Sequence, residues 1–225
     1  MSLSKKKYKF DDCKFLWYKH PYKEKYRRYI TRLNYKEGQL LYKYSNLAKN
    51  NIIEVGRWYG GSTYIISCAT QVPVYSIDML SLEERRDWII KNQRNKEWRG
   101  VTYPYYGNIS NINMENKLKQ FTNLVLCNKK TTEIVFGEDI PRTYDVLFID
   151  GDHSWEGVVG DIFYFWDYAT KYIIFHDYHK KAIDVYKAVN ILIKNKCATI
   201  VEQVDTTIVL RKDTNYELSD RWFVR

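Results

Sequence analysis

The stretch "NIIEVGRWYGGSTYIIS", residues 51–67, predicts a buried strand, a loop and the start of a helix. The apolar run 51–55 has the length and composition of a strand buried on both faces. Three glycines in the loop would let the backbone approach a ligand without a Cβ clash: Gly56, Gly60 and Gly61. Ser62 or Thr63 is expected to cap the helix. Ligands of open α/β sheets bind beyond the carboxyl ends of strands, so this loop is a candidate binding site.

Further short apolar runs follow along the chain, separated by segments long enough for helical crossovers. They are residues 72–78, 123–128, 145–150 and 171–177. Two β-rich runs within 198–212 are joined by only a few residues, which is typical of a hairpin. The pattern predicts an α/β fold: a Rossmann-like, seven-stranded, mostly parallel sheet with helices on both faces and an antiparallel C-terminal hairpin strand.

The chain shows no internal repeat and no Pro/Gly-rich boundary, and its 225 residues suit a single domain. Within 1–225 we expect an N-terminal helical extension over 1–49, a Rossmann-like core over 50–212 and a tail over 213–225. Residues 22–49 are expected to be helical, because apolar residues recur near a 3.6-residue period.

Two carboxylates flank the glycine loop in sequence. Asp78 ends the second predicted strand, about 20 residues after the glycines, where an acidic residue can accept hydrogen bonds from both ribose hydroxyls. Glu54 comes just before the loop and would repel a pyrophosphate, whereas it suits a cofactor with a cationic or amino-acid end. S-adenosylmethionine carries a sulfonium, an ammonium and a ribose, and it matches. The alternative is that Glu54 makes only local contacts and the glycines make a turn.

The formal net charge of +9 raises the question of a polyanionic partner. The densest cluster, "YKHPYKEKYRRY" at 18–29, interleaves basic residues with tyrosines that could stack on bases. Composition bias toward Lys, Asn, Ile and Tyr, with a merely solvated surface, is the favoured reading. A helix whose tyrosines face the core is the other alternative for this segment.

The four cysteines lie far apart without a CxxC spacing, which argues against a zinc site and a disulfide framework. The lysine-containing N-terminus lacks an apolar segment of the secretory type, and no apolar stretch approaches the ~18 residues of a membrane span. We therefore expect a cytoplasmic protein without a membrane partner. The sequence leaves the oligomeric state open.

Acidic residues and histidines cluster in the second half of the chain. Three of the four histidines lie there: His153, His176 and His179. Asp150 and Asp177 end adjacent predicted strands, and neighbouring parallel strands are about 4.8 Å apart, so the two carboxylates could share one cation. Oxygen ligands favour Mg²⁺, and a nearby imidazole would admit Mn²⁺ or Fe²⁺. The alternative is that "DGDHS" is a polar turn whose side chains cap the next helix.

The motifs resemble those of class I S-adenosylmethionine-dependent methyltransferases. The stretches "IIEVGRWYGGSTYIIS" (52–67) and "VYSID" (74–78) are similar to their first two motifs. The stretches "YDVLFIDGDHSWEGVVGDI" (144–162) and "YIIFHDY" (172–178) look like methyltransferase family 24, which is related to macrocin-type and catechol-type O-methyltransferases. The resemblance spans roughly residues 38–212 and implies the cofactor S-adenosylmethionine.

The resemblance also implies roles for individual residues. Metal-dependent relatives place ligands at positions that correspond here to Asp150 and Asp177, with His176 at a further ligand position. The general base of those relatives corresponds to His153, whose imidazole pKa suits proton transfer near neutral pH. The cofactor contacts would come from the strand ends and the glycine loop: Glu54, Gly56, Gly60, Gly61, Ser62, Asp78 and Asp150. Asp152 is expected to be a cap or a supporting group, and Asp161 a helix-surface group.

The sequence therefore predicts a metal-dependent O-methyltransferase that acts on a hydroxyl of a small polar molecule, such as a sugar or a glycan end. One alternative is an RNA-binding or RNA-modifying methyltransferase that uses the basic N-terminus, although the aromatic-proline motif of base-nitrogen methylation is absent. A non-catalytic module that binds the cofactor is the other. Residues 79–122, with the N-terminal helices, are expected to form the acceptor wall.

Overall fold

A computed structural model describes residues 8–19, 26–28, 31–93, 114–213, 218–219 and 223. The strands are β1 Trp17–Lys19, β2 Tyr26–Arg28, β3 Ile52–Val55, β4 Val74–Ile77, β5 Leu124–Cys127, β6 Tyr144–Ile149, β7 Ala169–Phe175, β8 Ala198–Val204 and β9 Thr207–Lys212. The α-helices are α1 Tyr35–Asn46, α2 Gly61–Ala69, α3 Leu82–Gln93, α4 Met114–Leu118, α5 Trp155–Phe165 and α6 Ile183–Lys194. Short 3₁₀ helices cover Phe10–Leu16, Thr131–Glu133 and Trp166–Tyr168.

Seven strands form one sheet in the order β5-β4-β3-β6-β7-β9-β8. The pairs β5–β4, β4–β3, β3–β6 and β6–β7 are parallel, whereas β9 runs antiparallel to both β7 and β8. The predicted mostly parallel sheet with an antiparallel C-terminal hairpin is confirmed. This order places the ends of β3, β6 and β7 side by side at one edge.

Helices cover both faces of the sheet, and each face has its own core. All residues of β3 and β6 are buried, as their uninterrupted apolar runs predicted. One core packs α1, α2 and the first 3₁₀ helix against β3, and the other packs α5 and α6 against β6 and β7. All nine residues of α2 are buried, because the N-terminal segment covers the outer side of this helix.

The helical prediction for residues 22–49 is wrong in part. Residues 26–28 form β2, which pairs with β1, and the α-helix begins only at Tyr35. Asn34 sets this start: its side chain accepts hydrogen bonds from the amides of Lys36 and Glu37, and Glu37 completes a capping box. Periodicity alone extended the helix too far. The rest of the basic segment, residues 20–25 and 29, lies outside the described residues.

The predicted acceptor wall over 79–122 is described only in part. Helices α3 and α4 belong to it, and residues 94–113 lie outside the described ranges. The longest described helices, α1, α3 and α6, have 12 residues each. Among the described helices, none combines the length and apolar character that crossing a bilayer would require.

Candidate functional site

The carboxyl ends of β6 and β7 bring three predicted site residues together. Asp150 directly follows β6, Asp177 lies two residues beyond the end of β7, and His153 lies in the turn before α5. The Nε2 atom of His153 lies 3.4 Å from Asp150 Oδ1 and 3.5 Å from Asp177 Oδ2. One ligand atom from each of the three residues lies within 4.8 Å of the others, so the group could hold a metal ion.

The backbone at Asp177 adopts an uncommon conformation. Its φ is +57°, in the left-handed region that non-glycine residues seldom enter. Such a conformation persists only where surrounding contacts enforce it, and it clusters at functional sites. The carboxylate of Asp177 lies 3.5 Å from His153 Nε2 and 3.4 Å from His176 Nδ1.

The "DGDHS" turn combines both readings that the sequence allowed. Ser154 is the N-cap of α5 and accepts a hydrogen bond from the Gly157 amide at 3.1 Å. Asp152 accepts from the Ser154 amide and hydroxyl, as expected of a supporting group. The same turn presents Asp150 and His153 to the site, so capping and site geometry share five consecutive residues.

His176 lies beneath the cluster and is 2% exposed. Its Nδ1 atom is 3.0 Å from Asp150 Oδ1 and 3.4 Å from Asp177 Oδ2. Its Nε2 atom lies 3.7 Å from Glu37 Oε2, which is longer than a hydrogen bond. The group of three with metal-ligand spacing contains His153 rather than His176. Ligation by His176 stays a prediction, and its placement also suits a role in holding Asp150.

The carboxylates and imidazoles of the cluster shift one another's pKa. Burial opposes ionisation of Asp150, but the neighbouring His176 and His153 lower its pKa to about 2. The hydrogen bond that His153 donates to Asp150, with the charges of Asp150 and Asp177, raises the pKa of His153 against the effect of burial. Burial also opposes the charge on His176, yet Asp150 and Glu37 raise its pKa well above the ordinary value.

The glycine loop leads into α2 differently from the prediction. Gly60, with φ +88°, is the N-cap and makes no side-chain capping bond. The expectation that Ser62 or Thr63 caps the helix is wrong. The Thr63 hydroxyl instead donates to Glu54 at 2.6 Å, because a buried carboxylate needs donors.

Glu54 is fully buried beneath the loop. Its Oε2 atom accepts from Thr63 and from the Ser76 hydroxyl at 2.5 Å, while Oε1 is buried without a hydrogen-bond partner among the described residues. Burial raises the pKa of Glu54, and the hydroxyl donors offset this only in part. One buried carboxylate oxygen therefore lacks a donor among the described residues.

Two glycines of the loop permit close approach of other chain segments. A Cβ at Gly56, where φ is +88°, would overlap the backbone carbonyl of Asp150. A Cβ at Gly61 would lie 2.6 Å from the Thr31 side chain. The glycines thus let the loop lie directly against Asp150, at the end of β6, and against Thr31 in the N-terminal segment.

Asp78 follows β4, as predicted, but protein groups engage both of its oxygens. Oδ2 accepts from the Trp58 amide at 2.9 Å, and Oδ1 accepts from the Leu80 amide and from Arg85. Asp78 is 8% exposed. These bonds fix the loop to the end of β4, and a ribose contact at Asp78 stays a prediction.

Two charged residues near the site escaped the sequence analysis. Arg57 is 1% exposed and donates to the carbonyls of Ser76 and Leu80 and to Asn128. Its position as a single arginine inside an apolar stretch was the sequence feature that could have indicated its burial. Glu37 was hidden inside the N-terminal helix, where only the N-x-x-E spacing after Asn34 marks it.

The prediction that Asp161 is a helix-surface group is wrong. Asp161 is 6% exposed, and its Oδ1 accepts from the Thr131 hydroxyl at 2.8 Å. Helix α5 turns this residue inward because it follows Val158 by one helical turn, on the buried face. Burial raises the pKa of Asp161 to about 6.

The chain matches a known protein family over the region that contains the site. A family model described as "Methyltransferase domain", methyltransferase family 24, matches residues 53–178, from the glycine loop to the Asp177 region. The chain belongs to this methyltransferase family. The resemblance to class I S-adenosylmethionine-dependent methyltransferases is thereby confirmed, and with it the expectation that the protein is a methyltransferase.

Solved structures share the fold of this methyltransferase. An O-methyltransferase of Bacillus cereus, solved with S-adenosylhomocysteine, matches with a TM-score of 0.52 and 14% identity over 81% of this chain and 84% of its own. The O-methyltransferase of tomaymycin synthesis from Streptomyces achromogenes, solved with S-adenosylmethionine, matches with a TM-score of 0.50 and 11% identity over 80% and 82%. At such identities the likeness concerns the fold.

A curated relative of this methyltransferase is an uncharacterized protein of Acanthamoeba polyphaga mimivirus. It is 39% identical over 57 residues, which is 24% of this chain. The match spans only 26% of the length of that relative.

Proposed function

We propose that this methyltransferase transfers the methyl group of S-adenosylmethionine to a hydroxyl oxygen of a small polar acceptor, such as a sugar or a glycan end, with a divalent cation at Asp150 and Asp177. The observation that carries the proposal is the convergence of Asp150, His153 and Asp177, whose ligand atoms lie within 4.8 Å of one another. Separate strand ends supply the two carboxylates, so the fold itself assembles the group.

The donor set fits a hard divalent cation. Two carboxylates supply oxygen ligands for Mg²⁺, and an imidazole at the rim makes Mn²⁺ an alternative. The side chain of Asp150 is 13% exposed and that of Asp177 is 23% exposed, so both reach solvent at the rim of the sheet. The strained backbone of Asp177 also supports a function for its carboxylate.

The glycine loop fits the amino-acid end of S-adenosylmethionine. Gly60 leaves the first amides of α2 without a side-chain cap, and the Glu54 oxygen that has no partner among the described residues lies beneath the same loop. Backbone amides at a helix start suit a carboxylate, and Glu54 suits a cationic group. The solved relatives that contain S-adenosylmethionine or its demethylated product support this choice of cofactor.

Four residues of the chain would have separate roles in methyl transfer. Asp150 and Asp177 would hold the cation at the carboxyl ends of β6 and β7. When bound, the cation lowers the pKa of the acceptor hydroxyl. His153, with 45% of its side chain exposed, faces the same space and accepts the hydroxyl proton as general base. His176 stays below the pair and holds Asp150 from the buried side.

Chelation tests this assignment directly. Methyl transfer from labelled S-adenosylmethionine to a panel of sugars should stop with a chelator and return with Mg²⁺ or Mn²⁺. Asp177→Asn should abolish transfer and leave the affinity for S-adenosylhomocysteine unchanged in calorimetry, because the cation holds the acceptor. Asp152→Asn, in the neighbouring "DGDHS" turn, is the control and should stay active, because Asp152 bonds only the amide and hydroxyl of Ser154 among the described residues. Activity that is indifferent to the chelator would contradict the metal-dependent mechanism.

Substitution of His153 tests whether this residue acts as a general base or as a metal ligand. His153→Gln should slow turnover by about 10²–10⁴-fold, the usual contribution of general base catalysis, while Mn²⁺ still binds. His179→Gln is the control, since His179 lies 3.7 Å from Asp177 and bonds the amides of Lys181 and Ala182. Loss of Mn²⁺ binding in His153→Gln would assign His153 as a ligand instead.

The cytoplasm is the compartment we propose for this activity. All four cysteines are buried and free of disulfide bonds: Cys13, Cys68, Cys127 and Cys197. Unpaired thiols support a reducing environment such as the cytoplasm.

A further inference from the structure

Glu37 is a buried carboxylate that collects hydrogen bonds from two distant parts of the chain. It lies in the first turn of α1 and is 0% exposed. Its Oε2 atom accepts from the Asn34 amide at 2.7 Å, and its Oε1 atom accepts from the Thr206 amide at 2.9 Å and the Thr206 hydroxyl at 2.5 Å. Glu37 therefore ties the start of α1 to the turn between β8 and β9.

The same carboxylate faces the buried side of the candidate active site. His176 Nε2 lies 3.7 Å from Glu37 Oε2 and has no hydrogen-bond partner among the described residues. The other ring nitrogen, Nδ1, lies 3.0 Å from Asp150 Oδ1. The imidazole thus stands between two carboxylates, one in the site and one outside it.

We propose that Glu37 is a positioning residue that acts through His176 to fix the orientation of Asp150. The proposal rests on the function proposed above, since Asp150 matters there as a ligand. Glu37 itself is separated from the site by the imidazole, so it touches neither cation nor acceptor.

The burial of both groups explains why Glu37 can do this. His176 is 2% exposed, so solvent offers little to its Nε2 atom, and the Glu37 carboxylate is the acceptor that faces it. A ring held at one nitrogen can rotate, whereas a ring faced by carboxylates at both nitrogens has one favoured orientation. Partners beyond the ligands orient them in the same way in metal sites generally.

Capping alone does not account for the placement of Glu37. A capping box needs only the bond between Glu37 and the Asn34 amide. The bonds from Thr206 would serve only to hold the β8–β9 turn. The Oε2 atom that accepts the capping bond also lies 3.7 Å from His176 Nε2, and a carboxylate buried this deeply is costly unless several partners share it.

The test compares two variants that remove different contacts of Glu37. Glu37→Gln keeps the shape of the side chain but replaces one carboxylate oxygen with an NH₂ group. This NH₂ group would face a hydrogen-bond donor of Asn34, Thr206 or His176 and could not accept from it. Thr206→Val removes the hydroxyl donor to Oε1 and leaves the pair of Glu37 and His176 intact, so it is the matched control. Both variants are first checked for folding by circular dichroism.

The primary measurement is the ¹⁵N NMR spectrum of the His176 ring in the protein without added metal, assigned by its loss in His176→Asn. We expect the His176 ring signals to shift in Glu37→Gln and to match the wild type in Thr206→Val. Unchanged signals in Glu37→Gln would overturn the proposal, whether or not the protein is a metal-dependent enzyme.

Calorimetry with Mn²⁺ is the second measurement. Glu37→Gln removes a group that orients a metal ligand, so it should weaken the affinity for Mn²⁺ by about 10–100-fold. Thr206→Val should leave this affinity unchanged. Equal weakening in both variants would overturn the proposal in favour of a merely structural role. If the wild type itself binds no Mn²⁺, the proposed metal site fails, and the NMR result alone decides the role of Glu37.

A second variant covers the case in which Glu37→Gln does not fold. Glu37→Asp keeps the charge and withdraws it by one methylene, so it should shift the His176 signals and weaken Mn²⁺ binding less than full removal. Wild-type behaviour of Glu37→Asp in both measurements would then overturn the proposal.

Discussion

Asp145 and Asp161 are both buried, yet their surroundings shift their pKa values in opposite directions. Burial opposes ionisation of Asp145, but Lys171 at 2.6 Å, the amides of Lys49 and Asn50 and the Thr170 hydroxyl lower its pKa overall. Asp161 has only the Thr131 hydroxyl against burial and a nearby carboxylate, and its pKa rises to about 6. Asp145 has more hydrogen-bond donors to offset burial than Asp161 has, and its pKa is the one that is lowered.

Substituting each aspartate by asparagine should therefore affect stability with opposite signs. The raised pKa of Asp161 means that its stabilisation is complete below the unfolded value and is lost as pH rises through about 6. Asp161→Asn should raise the free energy of unfolding by roughly 1–3 kcal/mol near about pH 8 and have little effect near about pH 4. Thermal melts across pH would measure this.

Asp145→Asn is the counterpart. Because the pKa of Asp145 is lowered, its contribution is present above the unfolded value and is lost as pH falls. The variant should melt below the wild type near neutral pH, and the difference should shrink in acid. Two variants with the same sign near neutral pH would contradict the assignment.

Two glycine-to-alanine substitutions provide a second contrast. Gly56→Ala places a Cβ against the Asp150 carbonyl at φ +88°, so it should cost about 1–2 kcal/mol for backbone strain alone and more for the overlap. Gly160→Ala on the exposed face of α5 meets no described residue within 4 Å and should stabilise by roughly 0.5–1 kcal/mol. Denaturant titrations of both variants would measure the difference.

The helix α1 and the β8–β9 turn are joined by more than one contact. Asn34 caps α1 and its Nδ2 atom donates to Asp205 at 2.9 Å, alongside the bonds between Glu37 and Thr206. Asp205 has φ +49°, as a tight hairpin turn requires. An N-terminal element thus fixes the geometry of a C-terminal one beside the candidate site.

Loss of the Asn34 side chain should weaken this joint. Asn34→Ala should cost about 1 kcal/mol of stability, the usual value of an N-cap, with an added loss from the Asp205 contact. Asn46→Ala, at the exposed last residue of the same helix, should change stability by at most about 0.5 kcal/mol. Equal effects of the two substitutions would show that the cap contributes nothing.

Cation binding should stabilise the molecule as a whole. A ligand that binds only the folded state at 100 times its dissociation constant adds about 2.7 kcal/mol. For a chain of 225 residues this corresponds to an increase of about 5–10 °C in Tm. Mn²⁺ should therefore raise the Tm of the wild type and leave that of Asp150→Asn unchanged, as scanning calorimetry would show.

The fold was predictable because its strands are buried on both faces and stand out as apolar runs, and because parallel strands bring their ends to one edge. Asp150 and Asp177 followed from that rule. The inward turn of Asp161, the donors to Glu54 and the contact of Glu37 with His176 were not predictable. Each depends on side-chain direction or on a partner far away in sequence, which local patterns do not encode.

The central position of β3 has a kinetic consequence. Ile52 pairs with Val74 on one side, close in sequence, and with Val146 on the other, which is translated much later. Closing so long a loop is slow compared with forming the local β8–β9 hairpin, which takes about 1–10 μs. During translation β3 would expose an unpaired apolar edge until β6 leaves the ribosome, and this interval is when the nascent chain is most prone to aggregate.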